Sequence, residues 1–233
     1  MKKKISILGA TGSIGVSALS IIDKKKFFFN IVLLSSNKNF NLICKQIKKY
    51  KPKYYVINDL KIFNKVKKKF KKSKVKIINF FNFNDKNIKS EIVISAIPGI
   101  AGLKPTINII DKTKRILIAN KESIICGWNL IRNQLKKNIN KIIPIDSEHF
   151  SINELIKNTN KNSIEKIFIT ASGGPFLNTK LSSFKNIKIQ DAIRHPNWNM
   201  GKKISVDSST LINKVYELIE AKKIFDLSYS KLE

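Results

Sequence analysis

Lys4-Ile-Ser-Ile-Leu8 runs directly into Gly9-Ala-Thr-Gly-Ser-Ile-Gly15, and this junction decides how the chain folds. The first five residues read as a short buried strand, and the residues from Ser13 through Ile22 carry a helical pattern. Between them stand three glycines at a spacing of three. Glycine lets a backbone turn sharply and come close to a pyrophosphate, while the helix that follows offers free N–H groups and a partial positive charge. Strand, GxxGxxG and helix at the extreme N-terminus form a dinucleotide-binding arrangement.

Working outward, strands are expected at 28–34, 54–57, 75–79, 92–96 and 115–119, with helical segments at 41–49, 60–70 and near 105–110. Strands alternating with helices across short loops predict a doubly wound parallel sheet. In a nicotinamide-binding fold the second strand commonly ends in an acid for the ribose 2′-hydroxyl. Here it ends Leu34-Ser-Ser-Asn37-Lys38-Asn39, with no acid, which favours a 2′-phosphate and hence NADP.

The net charge of +29 points first to nucleic acid or an anionic surface. However, of the 45 basic residues only Arg115, Arg132 and Arg194 are arginine, and the lysines are scattered. Base and phosphate recognition leans on arginine forks and stacking aromatics. Solvated lysine faces in an AT-rich coding sequence are therefore the expected reading, with no nucleic acid partner. Hydrophobic residues make up 42% of the chain, enough for a real core, and no apolar run reaches the length of a membrane span. Cys44 and Cys126 are far apart and fit buried thiols of a reducing compartment, so a cytoplasmic enzyme is expected.

The pattern changes near residue 145. A strand at 142–145 runs into Asp146-Ser-Glu148-His149, followed by a helix at 152–157 and a strand at 164–170. A long irregular stretch over 177–205 contains His195-Pro-Asn-Trp198-Asn-Met200-Gly201, and a helix runs from Ser208 to Phe225. At a strand end, Asp146 and Glu148 would share one face. On the last helix Leu211, Val215, Leu218 and Ile219 share one side, and Asn213, Glu217 and Glu220 gather opposite, with Lys214 at their edge. Asp146, Glu148 and Glu217 could supply three oxygen ligands to Mg²⁺ or Mn²⁺. Equally, Glu217 and Glu220 could be a solvated helix face, and the pattern leaves both readings open. The 177–205 stretch reads as a lid whose Trp198 could close over a ligand and whose His195 could hold a proton, or as a loop whose Trp198 and Met200 pack inward.

These segments, with Ala119-Asn-Lys-Glu-Ser123, Pro144-Ile-Asp-Ser-Glu-His149, Ala171-Ser-Gly-Gly-Pro-Phe176 and His195 through Thr210, resemble the 1-deoxy-D-xylulose 5-phosphate reductoisomerase family. Asn213, Lys214 and Glu217 follow in register, and five motifs in order are far more specific than any one. The resemblance implies an NADPH- and metal-dependent oxidoreductase acting on a small sugar phosphate in isoprenoid precursor biosynthesis. Thr11, Gly12, Ser13 and Ile14 would hold the NADPH phosphates, Asn37, Lys38 and Asn39 would lie near the 2′-phosphate, and Asn120, Glu122 and Gly201 would also touch the cofactor. The metal would fall to Asp146, Glu148 and Glu217. Lys121, Ser147, Glu148, Ser172, His195, Ser208, Asn213, Lys214 and Glu217 would bind substrate, with Lys121 and His195 among the catalytic groups. Trp198 and Met200 would sit on the flap.

The expected organisation is an NADPH-binding domain over 1–144 and an incomplete α+β catalytic domain over 145–233, with a homodimer when full length. The chain stops just after the metal-bearing helix, where the family continues, so a truncated and inactive piece is expected. One departure is Asn37, which stands where the family has a glycine. Two other readings compete. A semialdehyde or homoserine dehydrogenase-like enzyme is one, although a semialdehyde dehydrogenase needs a nucleophilic cysteine and Cys126 has no basic partner in its sequence context. A basic nucleic-acid-binding protein is the other, and saturable NADPH binding would separate it.

Overall fold

A computed structural model describes residues 2–79, 88–135, 141–171, 173–193 and 202–233, as two compact units, Met1–Ile145 and Asp146–Glu233. In the first unit, β1 (Lys3–Leu8) pairs in parallel with β2 (Phe29–Ser36) on one side and β5 (Ser90–Ser95) on the other. The sheet continues through β3 (Tyr54–Ile57) and β4 (Lys76–Asn79) on one flank and β6 (Thr113–Ile118) and β7 (Ile142–Pro144) on the other. Among the described residues it has seven strands, in the order β4-β3-β2-β1-β5-β6-β7, all parallel. Helices α1 (Ser13–Lys24), α2 (Phe40–Tyr50), α3 (Leu60–Lys69), α4 (Leu103–Ile110) and α5 (Lys121–Leu135) lie between the strands. This is the doubly wound α/β sheet expected from the sequence.

The packing follows from a period of two. Tyr55, Ile57 and Leu34 join Leu19, Ile22, Ile43, Ile47 and Val66 in one core. Their strand neighbours Tyr54, Val56 and Leu33 join Leu8, Val93 and Ile109 in another. Successive side chains of a strand leave on opposite faces, and both faces are covered here, so β3 is buried at all four positions. Asn39 and Asp59 begin α2 and α3 as N-caps, accepting the N–H groups of Leu42 and Ile62 at 3.1 and 2.9 Å.

Several local expectations are corrected. Ile142–Pro144 is the outermost strand of the first unit, paired with β6. Asp146 and Glu148 do not sit on a strand end. The Asp146 carboxylate caps the N–H of His149 at 2.8 Å, so α6 (Ser147–Ile156) starts well before Ile152. The strand expected at 164–170 is a single bridge between Ile167 and Leu232. Its described backbone partners are Lys231 and Glu233, too few for a ladder.

Part of the 177–205 stretch is helical, with a 3₁₀ segment at Leu181–Asn186 and α7 at Ile189–Ile193. The long last helix is two helices, α8 (Lys202–Ser209) and α9 (Ile212–Phe225), broken where Leu211 takes a left-handed φ of 59°. No helix among the described residues is long and apolar enough to cross a membrane.

Candidate functional site

The winding of the sheet reverses between β1 and β5, so a crevice opens at their carboxyl ends. A cleft of about 600 Å³ lies there, lined by Gly9, Thr11 and Gly12 after β1, Ser35 to Asn37 at the end of β2, and Ile97, Pro98 and Lys104 beyond β5. Gly9 has φ of 87°, and a Cβ on it would come within 2.6 Å of the Ala96 carbonyl oxygen. Gly15 is tighter, since its Cβ would lie 2.3 Å from the Gly9 oxygen and 2.6 Å from Ala10 Cα. The outer glycines thus bring strand, turn and helix into contact, while Gly12, whose N–H donates to the Gly9 carbonyl at 3.1 Å, is the N-cap of α1.

Side chains pin this turn from beneath. Ser35 Oγ accepts the Gly9 N–H at 3.0 Å. The buried Gln46 amide donates to the Ala10 carbonyl at 2.8 Å and accepts from the Tyr55 hydroxyl at 2.6 Å. Burial pushes the Tyr55 hydroxyl far up, so it remains a donor. Replacing Gln46 by leucine is expected to leave both partners without it and cost about 1–3 kcal/mol. Urea unfolding reads that loss, and a change under a few tenths would make the relay incidental.

Across the crevice, Asn120 is buried, and its amide donates to the carbonyls of Ile97 and Gly99 and accepts the Ser123 N–H. It thereby caps α5 and holds the β5–α4 turn that walls the cleft. Lys121 and Glu122, half-buried, follow in the first turn of α5. Asn37 lines the cleft, Lys38 is exposed beside it, and the Asn39 side chain is committed to its cap. Ser13 and Ile14 are exposed at the start of α1. Among the described residues, no acid lines the crevice at the end of β2.

The second unit concentrates charge. Lys214 Nζ donates to Glu148 Oε1 at 2.7 Å and to Glu217 Oε2 at 2.6 Å. Asn213 donates to the other Glu217 oxygen at 2.6 Å, and Ser147 donates to Glu148 at 2.7 Å. Burial raises the Glu148 carboxyl, but Lys214 and Ser147 outweigh it and hold the group below its ordinary value. Burial likewise lowers Lys214, and its two carboxylates more than reverse that. The solvated-face reading of α9 therefore fails: Glu217 is 0% and Glu220 2% exposed, while Leu211 and Val215 are 51% and 46% exposed. The polar side turns inward because its partners are there.

A second cluster adjoins. His149 is fully buried, and its Nδ1 meets both Asp146 oxygens at 2.7 and 2.8 Å while Nε2 meets the Glu217 carbonyl at 2.9 Å. Both ring nitrogens thus face oxygen atoms, an arrangement that favours the imidazolium form. Burial lowers His149, yet the bond to Asp146 and the Glu220 charge 3.6 Å away raise it overall. Asp146, His149 and Glu220 have ligand atoms within 4.8 Å of one another. The three side chains form one hydrogen-bonded, charge-paired cluster. The sequence alone gives His149 no role and leaves Glu220 on the polar side of its helix, although the Asp146-x-x-His149 spacing at a helix start is a usable signal.

Glu148 and Glu217 converge on one cation with oxygen donors alone, a donor set that suits Mg²⁺ or Mn²⁺. Asp146, the third carboxylate expected at that ion, lies against His149 Nδ1 at 2.7 Å. Ser208 lies near the end of α8, where Gly174, with φ of 68°, packs so closely that a Cβ would come within 2.7 Å of its carbonyl oxygen. Ser172, His195, Trp198, Met200 and Gly201 lie outside the described residues.

The comparisons agree with this geometry. Residues 5–127 match the family model for 1-deoxy-D-xylulose 5-phosphate reductoisomerase, and residues 142–225 match that of its C-terminal domain. A 1-deoxy-D-xylulose 5-phosphate reductoisomerase of Pelagibacter ubique is 53% identical over 99% of this chain and 61% of its own length. One from a Wolbachia of Drosophila simulans is 44% identical over 99% and 59%. Among solved structures, the Zymomonas mobilis enzyme in complex with NADPH matches with TM-score 0.89 and 33% identity, over 100% of this chain and 61% of its own. A reductoisomerase bound to NADPH, fosmidomycin and magnesium matches at 0.85 and 31%, over 99% and 60%. A homoserine dehydrogenase of Thermoplasma acidophilum, at 0.52 and 14% identity over 98% and 71%, shares the fold alone. The chain spans about three-fifths of the length of the curated relatives it matches, and it belongs to the 1-deoxy-D-xylulose 5-phosphate reductoisomerase family.

Proposed function

We propose that this chain carries the cofactor-binding and much of the metal- and substrate-binding machinery of an enzyme converting 1-deoxy-D-xylulose 5-phosphate to 2-C-methyl-D-erythritol 4-phosphate. The observation that carries the reading is the order of the two family matches, over 5–127 and 142–225, on a chain whose first part holds a glycine-turn cleft. Residues 1–144 would form the NADPH-binding domain and 145–233 the metal and substrate domain, in a cytoplasmic enzyme that is a homodimer when full length.

Thr11 and Gly12 would line the cofactor phosphates, with Ser13 and Ile14 presenting the first helical turn to them. Asn37, Lys38 and Asn39 would face the 2′-phosphate. Asn120, Glu122 and Gly201 complete the cofactor set. Glu148 and Glu217, with Asp146 beside them, would hold a divalent cation, which supplies Lewis-acid polarisation of a substrate carbonyl and hydroxyl. Lys121, Ser147, Ser172, His195, Ser208, Asn213 and Lys214 would orient the sugar phosphate. NADPH supplies the hydride for reduction.

Titration by nicotinamide fluorescence tests the cofactor assignment. NADPH is expected to saturate at one equivalent and to bind more tightly than NADH, and equal or tighter NADH binding would sink the 2′-phosphate argument. For the substrate, 1-deoxy-D-xylulose 5-phosphate should raise the melting temperature in Mg²⁺ and not in chelator.

A further inference from the structure

The opposite edge of the sheet carries a second cleft, of about 720 Å³, formed where the strands begin. It is lined by Lys4 on β1, Asn30 to Val32 on β2, Lys53 before β3, Lys74 and Val75 before β4, and Lys89 before β5, with Lys48 and Lys51 from the end of α2. A strand of six residues spans roughly 20 Å at about 3.3 Å per residue, so this cleft is separate from the glycine turn at the other end of β1. Among the described residues, six of the 14 that line it are lysines and none is acidic. With 45 basic and 16 acidic residues among 233, an average sample of that size would hold about one acid and about three bases.

The ordinary explanation for lysine at this edge is the helix dipole, since α2 and α3 end here. Each C-terminus offers about half a negative charge, so the two offset about one lysine. The Glu91 carboxylate, accepting the Lys4 N–H at 3.2 Å, offsets one more. A surplus of about four positive charges remains in a concave space, where low-dielectric walls focus the field. The floor is apolar, from Ile31, Ile47, Phe70 and Val75.

We infer that this cleft is a binding site for a small polyphosphate anion. Its size suits a short phosphate chain, and ammonium groups on several elements can surround such a chain as point charges. A nucleoside triphosphate carries the same chain with a base that the apolar floor could cover.

The test is calorimetric titration of the 233-residue chain with inorganic tripolyphosphate, and separately with adenosine triphosphate, at 0.15 M salt. One saturable site is expected. The triple variant Lys48→Gln, Lys74→Gln, Lys89→Gln, all exposed positions, should weaken it at least tenfold with an unchanged melting temperature. The control Lys61→Gln, Lys65→Gln, Lys68→Gln removes the same charge from exposed positions of α3 outside the cleft and should change affinity less than twofold. Equal tripolyphosphate and nucleotide affinity assigns the free chain, and tighter nucleotide binding assigns the nucleotide. Equal weakening by both triple variants, an unaltered affinity in the first, or no saturable binding would overturn the proposal.

Discussion

Substituting alanine for Gly15 is expected to abolish saturable dinucleotide binding and to destabilise the first unit severely. The new Cβ would lie 2.3 Å from the Gly9 carbonyl oxygen and 2.6 and 2.8 Å from Ala10 Cα and carbonyl carbon. All three are backbone atoms, so no side chain can swing aside. Relief requires moving either the start of α1 or the turn itself, and Gln46 and Ser35 hold the turn in place. Overpacking of a tight site typically costs about 1–3 kcal/mol, and a rigid backbone neighbour places this one at or above the top of that range. Gly12→Ala is the contrast, because its nearest neighbour would be 3.4 Å away, an ordinary contact. Urea unfolding and NADPH fluorescence on both variants decide the matter. Equal, small losses for the two would show that the turn relaxes and that close approach is not what the glycines provide.

Removing Glu217 should have the largest effect in the second unit. Its carboxylate is wholly buried and accepts from Lys214 and Asn213, while its main-chain carbonyl accepts from His149. Breaking a buried pair by deleting one partner costs about 3–5 kcal/mol. Lys214 is 21% exposed and keeps Glu148, so Glu217→Ala falls toward the lower end of that range. Glu217→Gln keeps the volume and much of the hydrogen bonding. It should therefore lose less stability yet still lose Mn²⁺ binding, measured as depletion of the free-ion electron paramagnetic resonance signal. Undiminished Mn²⁺ binding in both variants would remove Glu217 from the cation site.

The first unit was legible because its signals are local and repeated. A run such as Tyr54-Tyr-Val-Ile57 can be little else than a buried strand, and a glycine spacing after the first strand fixes where the crevice lies. The missing acid after Ser36 was equally readable, because it concerns one strand end. In the second unit the informative contacts join residues about 70 apart, as when Glu148 meets Lys214 or His149 meets the carbonyl of Glu217. A helical wheel ranks Val215 as core and Glu217 as surface, since it weighs each side chain against water alone and not against a distant ammonium. The early start of α6 was missed for another reason: Asp146 was read as a ligand, and its capping bond to His149 competes for the same oxygens. Asn39 caps its own helix, whereas Asn120 also reaches the carbonyls of Ile97 and Gly99, bonds that residue type alone does not foretell.

The inside-out character of α9 also bears on temperature. Exposing apolar surface raises the heat capacity of unfolding, whereas exposing polar surface lowers it. When the amino-terminal half of α9 unfolds it hydrates the buried Glu217 and gains little from Leu211 and Val215, which water already reaches, while the carboxyl half releases Ala221, Ile224 and Phe225. The first unit, by contrast, exposes Tyr54, Tyr55, Ile7, Leu33 and Leu34 all at once. The amino-terminal half of α9 thus bends the free energy of unfolding less with temperature than the sheet does, and cooling takes from the sheet a driving force on which that half scarcely depends, whereas Ala221, Ile224 and Phe225 share it.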